Sequence, residues 1–283
     1  MKIAIYGSRR QQSCKDKIRS LINRLVAGGA EIYMHRKLYD HLNIELGLPL
    51  SGVFRVNDCP SDADLAISLG GDGTFLRTVA WLGEYETAIL GINTGHLGFL
   101  TAESLDQAVD EGTDRILTLN YRREKLSMLH ITAAGNDYLA LNEVVLTKDD
   151  SASMITADVT LDNTLLGRYT ADGVLVSTPT GSTAYNLSVG GPIIEPTAPV
   201  WVISPIAAHS LTLRPIVVSD TMAVDVVVGG RASRFRLVTD GRSVSLPMDT
   251  TVKIRKSAHK VCVLQPIDRN FADIISQKLS FNS

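Results

Sequence analysis

The spacing of apolar residues changes character near residue 120, and that change restricts the folds open to the chain. Before it, short apolar runs alternate with helical stretches. Lys2–Tyr6 reads as a buried strand ending at Gly7, and Ile18, Leu21, Ile22, Leu25 and Val26 follow at helical spacing up to Gly28-Gly29. Glu31–Met34, Val53–Val56, Asp64–Leu69 and Ala88–Ile92 read as further strands. Phe75, Leu76, Val79 and Ala80 fall on one face of a helix after the Asp64–Leu69 strand. Strand and helix alternating at this length predict an α/β layer on a parallel sheet.

From Glu124 to Gln265 most apolar runs are short, β-branched and bounded by turn residues. They are Ser127–Ala133, Tyr138–Thr147, Met154–Leu161, Gly173–Ser177, Val200–Ser204, Met222–Val228, Phe235–Thr239 and Val261–Leu264. Asp162-Asn163 and Gly229-Gly230 read as hairpin tips. This half is expected to be mostly β, a two-sheet sandwich. Phe271, Ile274, Ile275 and Leu279 then share one face of a helix, which is expected to pack back on the first domain. The division expected is an α/β domain over 1–120, a β-rich domain over 121–266 and a C-terminal helix over 267–283. At about 150 residues per domain, 283 residues suit two.

Charge and cysteine content exclude several functions. Lys and Arg number 28 against 30 Asp and Glu, a net −2, so no electrostatic footprint for nucleic acid is present. Three scattered cysteines (Cys14, Cys59, Cys262) support neither a disulfide framework nor a thiolate zinc site. The histidines (His35, His41, His96, His130, His209, His259) show no metal-ligand spacing, so no protein-held metal is expected. Between Asp172 and Arg214 the only formally charged residue is Glu195, yet prolines interrupt the window and no apolar run of about 18 residues occurs. The N-terminal apolar run is shorter than the roughly 7 residues of a secretory core. A soluble, cytoplasmic protein without a membrane partner is the expectation.

Gly70-Gly71-Asp72-Gly73-Thr74 is the most informative segment for chemistry. A strand delivers it and a helix leaves it, which is where open α/β sheets place ligands. Its glycines let backbone N–H groups approach a phosphate, and the helix N-terminus adds partial positive charge. Asp72 in such a turn can take a proton from an attacking hydroxyl, help hold magnesium, or cap the helix. Arg77, farther along the same helix, can turn cationic charge toward a phosphate. No G-x-x-x-x-G-K-[ST] and no G-x-G-x-x-G after the first strand occur, which excludes a P-loop and the Rossmann fingerprint.

Two further segments carry polar groups in unusual settings. Ser177–Tyr185 places six hydroxyls within nine positions, interrupted by Pro179 and Gly181. That loop suits a polar ligand such as a nucleotide, or serves as an ordinary Ser/Thr-rich connection. Asn142-Glu143 interrupts the apolar run LALNEVVL. Two adjacent acceptors can hold the two hydroxyls of a ribose; alternatively Glu143 faces solvent from an alternating strand. Asp172 and Asp240 each precede a glycine at a strand end, where turn formation explains either.

Taken together and in order, GGDGTFLR (70–77), GINTGHLGFL (91–100), LNEVVL (141–146), DGVLVSTPTGSTAYNLSVGGPI (172–193) and HSLTLRPIVV (209–218) resemble the NAD kinase family. GGDGT alone also occurs in lipid kinases and phosphofructokinases; the ordered set is specific. The resemblance covers about residues 64 to 265. It implies transfer of the ATP γ-phosphoryl to the 2′-hydroxyl of the adenosine ribose of NAD, giving NADP, with magnesium accompanying the ATP phosphates. It implies that Asp72 accepts the proton from that hydroxyl and that Gly73 lies beside the same ribose and pyrophosphate. Asn142 and Glu143 would bind ribose hydroxyls, and Asp172 and Thr180 would lie in the dinucleotide site. Thr183, Ala184, Tyr185 and Ser188 would line the adenine and nicotinamide pockets, with Asn186 and Leu187 in the same segment. The family is usually dimeric or tetrameric.

The resemblance departs at three ligand-contact positions: Thr170 where many relatives carry Arg, Arg242 where they often carry Gln, and Ser153 where His is common. Two other functions match parts of the pattern. A lipid kinase of the same superfamily calls for an apolar acceptor cleft or a basic stripe, whereas the 172–214 region is hydroxyl-rich and nearly uncharged. A non-catalytic dinucleotide sensor would keep the Tyr185 region and dispense with Asp72.

Overall fold

The structure is a computed structural model that describes residues 1–9, 12–95, 98–149 and 153–279, with the side chain of Gln12 outside the description. His96 and Leu97 of the 91–100 motif therefore lie outside the described residues. The chain divides into two compact units: Met1–Lys125 with Val261–Ser283, and Leu126–Lys260.

The first unit alternates strand and helix. β1 (Lys2–Gly7), α1 (Lys15–Ala27), β2 (Glu31–His35), α2 (Arg36–Asp40), β3 (Val53–Val56), β4 (Leu65–Leu69), α3 (Asp72–Leu82) and β5 (Ala88–Asn93) follow in order. A short β6 (Glu103–Ser104) leads into α4 (Leu105–Asp110) and α5 (Gly112–Thr118). The strands pair in parallel in the order β3-β2-β1-β4-β5. Every residue of β4 and β5 is buried, which is why these runs are continuously apolar rather than alternating. Ile18, Leu21, Ile22 and Leu25 are the buried face of α1, at the spacing read from the sequence.

The face of α3 differs from expectation. Thr74, Phe75, Thr78, Val79 and Leu82 are buried, whereas Ala80 is exposed. Thr78 tolerates full burial because its hydroxyl donates to the Thr74 carbonyl at 3.0 Å. α4 and α5 escaped the periodicity reading, yet Ser104 and Gln107 form a capping box at the start of α4.

The second unit holds β7 (Arg122–Ala133, entering from the first unit), β8 (Asn136–Ala140), β9 (Glu143–Lys148), β10 (Ile155–Leu161), β11 (Thr164–Ala171) and β12 (Gly173–Ser177). A 3₁₀ turn over Thr180–Thr183 and α6 (Tyr185–Ser188) precede β13 (Val200–Ile206), β14 (Ile216–Ser219), β15 (Val224–Gly229), β16 (Arg234–Thr239), β17 (Arg242–Pro247) and β18 (Thr251–Gln265). One sheet runs β14-β13-β12-β9-β16-β17, and a second includes β11-β10-β15-β18. Trp201, Tyr169, Phe235 and many β-branched residues from both sheets form one core, as in a sandwich.

Asp162 and Asn163 turn the β10–β11 hairpin with φ +45° and +67°. Gly229-Gly230 is not a hairpin tip. β15 already has β10 and β18 as neighbours, so β16 joins the other sheet beside β9 and β17. The run Tyr138–Thr147 is not one strand either: it breaks between β8 and β9 at Leu141-Asn142. β18 ends in the first unit, where Val263 pairs with Ile89 of β5, and α7 (Phe271–Leu279) follows. Among the described residues no helix is long and apolar enough to cross a membrane.

Candidate functional site

In the first unit, functional groups collect at the carboxyl ends of the parallel strands. β1 pairs with β2 on one side and β4 on the other, so the connections leaving β1 and β4 turn to opposite faces and open a crevice. A cavity of about 1010 Å³ occupies this end, lined by Tyr6, Gly7, Ser8 and Arg9 after β1, and by Lys37 after β2. Gly71, Gly73, Thr74 and Arg77 line it after β4, and Asn93, Thr94 and Gly95 after β5. Arg9, Lys37 and Arg77 make it cationic, and the start of α3 adds its N–H groups. The chemistry of such a cavity fits polyphosphate.

The turn into α3 depends on glycine. Gly70 has φ +150°, and a Cβ there would lie 2.5 Å from the Thr74 hydroxyl oxygen. Gly71 is the N-cap, so Asp72 is the first helical residue and not the cap. Its carboxylate instead accepts from the backbone N–H of Phe99 (2.9 Å, Oδ2) and of Leu100 (3.1 Å, Oδ1). Gly98 lies so close that a Cβ would fall 1.8 Å from Asp72 Oδ1. Asp72 is half-buried, while Gly73 and Arg77 are exposed. Arg77 donates to the Thr74 hydroxyl at 3.1 Å. Beside the cavity Tyr6, His35 and Trp81 pack ring to ring, with Tyr6 and His35 centroids 4.7 Å apart. Burial, then Lys37 and Arg36, hold the His35 imidazole below its usual range.

In the second unit the site is built around the break between β8 and β9. Asp240 and Gly241 form the two-residue turn from β16 to β17, with φ +47° and +77°. From there the Asp240 carboxylate accepts from the N–H groups of Leu141 (2.7 Å), Asn142 (2.9 Å) and Glu143 (3.2 Å). Three consecutive amides turned to one carboxylate cannot also serve a strand ladder, so the strand breaks there. The Ser177–Tyr185 loop folds onto the same kink. Thr178 donates its hydroxyl to Leu141 O (2.6 Å) and its N–H to Asn142 O (2.9 Å). Gly181 approaches so closely that a Cβ would sit 2.1 Å from Asn142 O.

This arrangement leaves three buried polar atoms of the loop and kink without a hydrogen-bond partner: Asn142 Oδ1, Glu143 Oε2 and Thr180 Oγ1. Buried polar atoms are ordinarily paired, so each of the three calls for a ligand or water. The Glu143 carboxyl is pushed up to about 7, first by burial and then by the charge of Asp240, with a hydrogen bond from the Tyr185 backbone opposing. Burial also raises Asp240, against the three amides that favour its charged form. Tyr185 and Ser188 are exposed, and Thr183, Ala184 and Leu187 are half-buried.

Asn186 sits differently from its neighbours. It is fully buried and donates to Ser182 O (3.2 Å) and Pro192 O (3.1 Å), while Ser204 donates to its Oδ1 (2.8 Å). It therefore holds the loop's shape. Asp172 is not brought to the kink. In the β9–β12 register Ser177 faces Glu143 and Gly173 faces Thr147, which sets Asp172 beyond the opposite end, about 13 Å along the strands. There it pairs with Lys148 at 2.7 Å. Lys148, Ser153, Thr170 and Arg231 line a separate cavity of about 580 Å³, so two of the three departures from the family pattern share one place. Arg242 donates to Leu139 O at 2.7 Å, bracing the same break from the β8 side.

Among the described residues no three His, Cys, Asp or Glu side chains converge as a metal site. The sequence reading missed Arg9 and Lys37, whose link to Asp72 is only the shared strand ends, and the capping work of Asp240, for which a turn was explanation enough.

Comparison with known proteins adds a second line of observation. Residues 53–121 match the ATP-NAD kinase N-terminal domain, and residues 141–265 the ATP-NAD kinase C-terminal domain. The chain is 37% identical to an NAD kinase of Porphyromonas gingivalis, over 100% of this chain and 98% of that one. It is 36% identical to an NAD kinase of Bacteroides fragilis, over 100% and 99%. Among solved structures it resembles an NAD kinase from Archaeoglobus fulgidus in complex with ATP, with a TM-score of 0.73, 26% identity and coverage of 99% and 100%. It shares the fold of a yeast NADH kinase complexed with NADH, with a TM-score of 0.88, 23% identity and coverage of 100% and 88%.

Proposed function

The chain belongs to the ATP-NAD kinase family, and from that premise we propose that it transfers the γ-phosphoryl of ATP to the 2′-hydroxyl of the adenosine ribose of NAD, giving NADP and ADP. The observation that carries this reading is the trio of unpaired buried atoms on Asn142, Glu143 and Thr180. Ribose hydroxyls supply donors and acceptors at the spacing of adjacent side chains, and an apolar lipid acceptor supplies few.

In this reading Asp72 takes the proton of the 2′-hydroxyl as that oxygen bonds to the γ-phosphorus and the bond to the ADP oxygen breaks. A ribose hydroxyl is a poor nucleophile at neutral pH, so a carboxylate aimed by two backbone N–H groups contributes by position as well as basicity. Arg9, Lys37 and Arg77, with the amides at the start of α3, meet the phosphates of ATP. Gly73, lacking a side chain, leaves that helix start open to a ribose or pyrophosphate. Tyr185 and its half-buried neighbours Thr183, Ala184 and Leu187, with exposed Ser188, receive the rings of the dinucleotide.

Among the described residues no three His, Cys, Asp or Glu side chains converge, and in this reading magnesium would accompany the ATP phosphates, where it would neutralise charge. Asp172 serves the dinucleotide in a homodimer or homotetramer. Its place at the far end of β9 and β12 suits contact from a second copy. The reaction is assigned to the cytoplasm.

The test is a coupled assay for NADP with purified chain, ATP, magnesium and NAD, with Asp72→Asn alongside. The expected outcome is NADP from the wild type, and a variant with kcat lower by about 100-fold or more and NAD affinity within a few-fold. NAD binding without NADP formation would favour a sensor, and absence of both would point to another hydroxyl acceptor.

A further inference from the structure

Arg269 lies in the short segment between β18 and α7, outside both stretches matched by the family models, which end at residues 121 and 265. Its Nη1 donates to two consecutive carbonyls, Thr101 O at 2.8 Å and Ala102 O at 2.7 Å. Those carbonyls belong to the stretch Gly98–Ala102, whose Phe99 and Leu100 N–H groups hold the two oxygens of Asp72.

The same stretch is held from its other side. The Thr101 hydroxyl oxygen accepts from Gly98 N–H (2.8 Å) and from Asn93 Nδ2 (3.1 Å), and Ala102 N–H donates to Gly91 O (2.8 Å). Thr101 is fully buried, and Gly98 has no room for a Cβ against Asp72. A shift of the two carbonyls therefore reaches the carboxylate through a stretch with little slack. Arg269 is itself anchored, since its carbonyl accepts from Arg122 Nη2 at 3.1 Å.

The arrangement is costly. Arg269 Nη2 is buried and has no hydrogen-bond partner. Burial holds the guanidinium below its ordinary range, with the charges of Asp72 and Glu124 opposing. A neutral side chain could tie the same carbonyls without that desolvation, so the cation's place near Asp72 asks for a use beyond packing.

We propose that Arg269 is a positioning residue for phosphoryl transfer: by gripping the Thr101 and Ala102 carbonyls it fixes the stretch whose amides aim the Asp72 carboxylate. This rests on the reading of Asp72 as proton acceptor. A misplacement of about 1 Å at a reacting group can cost on the order of 100-fold in rate, and a positioning role acts on kcat rather than on substrate affinity.

The experiment measures kcat, both KM values and thermal unfolding for the full chain as wild type, Arg269→Gln, Arg269→Lys and Asp72→Asn. Arg269→Gln is expected to lower kcat by about 10- to 100-fold with KM for NAD and ATP within about threefold. Arg269→Lys, whose ammonium reaches one carbonyl rather than two, is expected to recover part of that loss. Arg269→Gln with kcat within twofold of wild type, beside an inactive Asp72→Asn, overturns the proposal and leaves the role of Asp72 intact. An active Asp72→Asn removes the proton-acceptor reading and this proposal with it. A loss confined to KM also overturns it. If Arg269→Gln does not fold, Arg269→Lys decides: reduced kcat at unchanged KM supports the proposal, and unchanged kcat overturns it.

Discussion

Glu143 pays for its position with a carboxyl that titrates near neutrality, and the sign of that shift has measurable results. Its pKa in the fold, about 7, lies above the ordinary 4.5 because burial and Asp240 penalise its charged form. The stability this group contributes is complete below the unfolded value and is lost as pH rises through about 7, a change of up to about 3 kcal/mol. Glu143→Gln should therefore resist urea better than the wild type at pH 8, with the advantage closing toward pH 5. The charged form is also the better acceptor for ribose hydroxyls. NAD should bind the wild type several-fold more tightly at pH 8 than at pH 6, and bind Glu143→Gln without that slope, by titration calorimetry; a flat wild-type profile counts against the ribose contact. Asn142→Ala should weaken NAD binding by about tenfold and leave kcat within twofold, because a neutral contact holds ground and transition states alike. The pair Asn142-Glu143 was legible in the sequence because polar residues interrupted an apolar run. The use of Asp240 was not, because the amides it serves lie 97 to 99 residues away.

Among elements, the break between β8 and β9 depends on a turn in another hairpin. Asp240→Ala would leave three inward amides without their acceptor, and each buried unpaired amide costs about 1–3 kcal/mol. A loss of roughly 3 kcal/mol in urea unfolding is expected, together with weaker NAD binding as the kink relaxes; a variant within 0.5 kcal/mol of wild type, on the order of an ordinary surface change, would deny the cap its role. Periodicity predicted β4, β5 and α1 because each buries a simple pattern. It failed on α3, where two threonines replace expected apolar positions by bonding back onto the helix or lying under the Gly70 turn. It failed again at Gly229-Gly230, where the neighbours already occupied by β15, and not the glycines, decide which sheet β16 joins. Ser104 and Gln107 show that a local signal for α4 was present and that apolar spacing was the wrong instrument for it.

For the molecule as a whole, the switch from alternating strand and helix to short β-branched runs was enough to read an α/β layer followed by a β sandwich. The helix Phe271–Leu279 was expected to pack back on the first domain, but the point at which the chain returns to its first unit was not legible. The boundary falls at Lys260 and Val261 inside β18, where no turn residue marks it. The first unit is thus discontinuous: Val263 pairs with Ile89, and Arg269 grips Thr101 across 168 positions. Contacts of such separation form late, because the intervening chain must close first. In refolding followed by pulsed hydrogen exchange, amides of β9 and β12 should gain protection before that of Leu100; simultaneous protection would remove this order. The consequence reaches translation. On a ribosome the continuous second unit can fold as soon as it has emerged, whereas the tie on the Thr101 and Ala102 carbonyls waits for residue 269. A nascent chain would then hold the kink at Asn142 and Glu143 in place before the stretch that holds the Asp72 carboxylate is fixed, and that stretch would stay loose until residue 269 has left the ribosome.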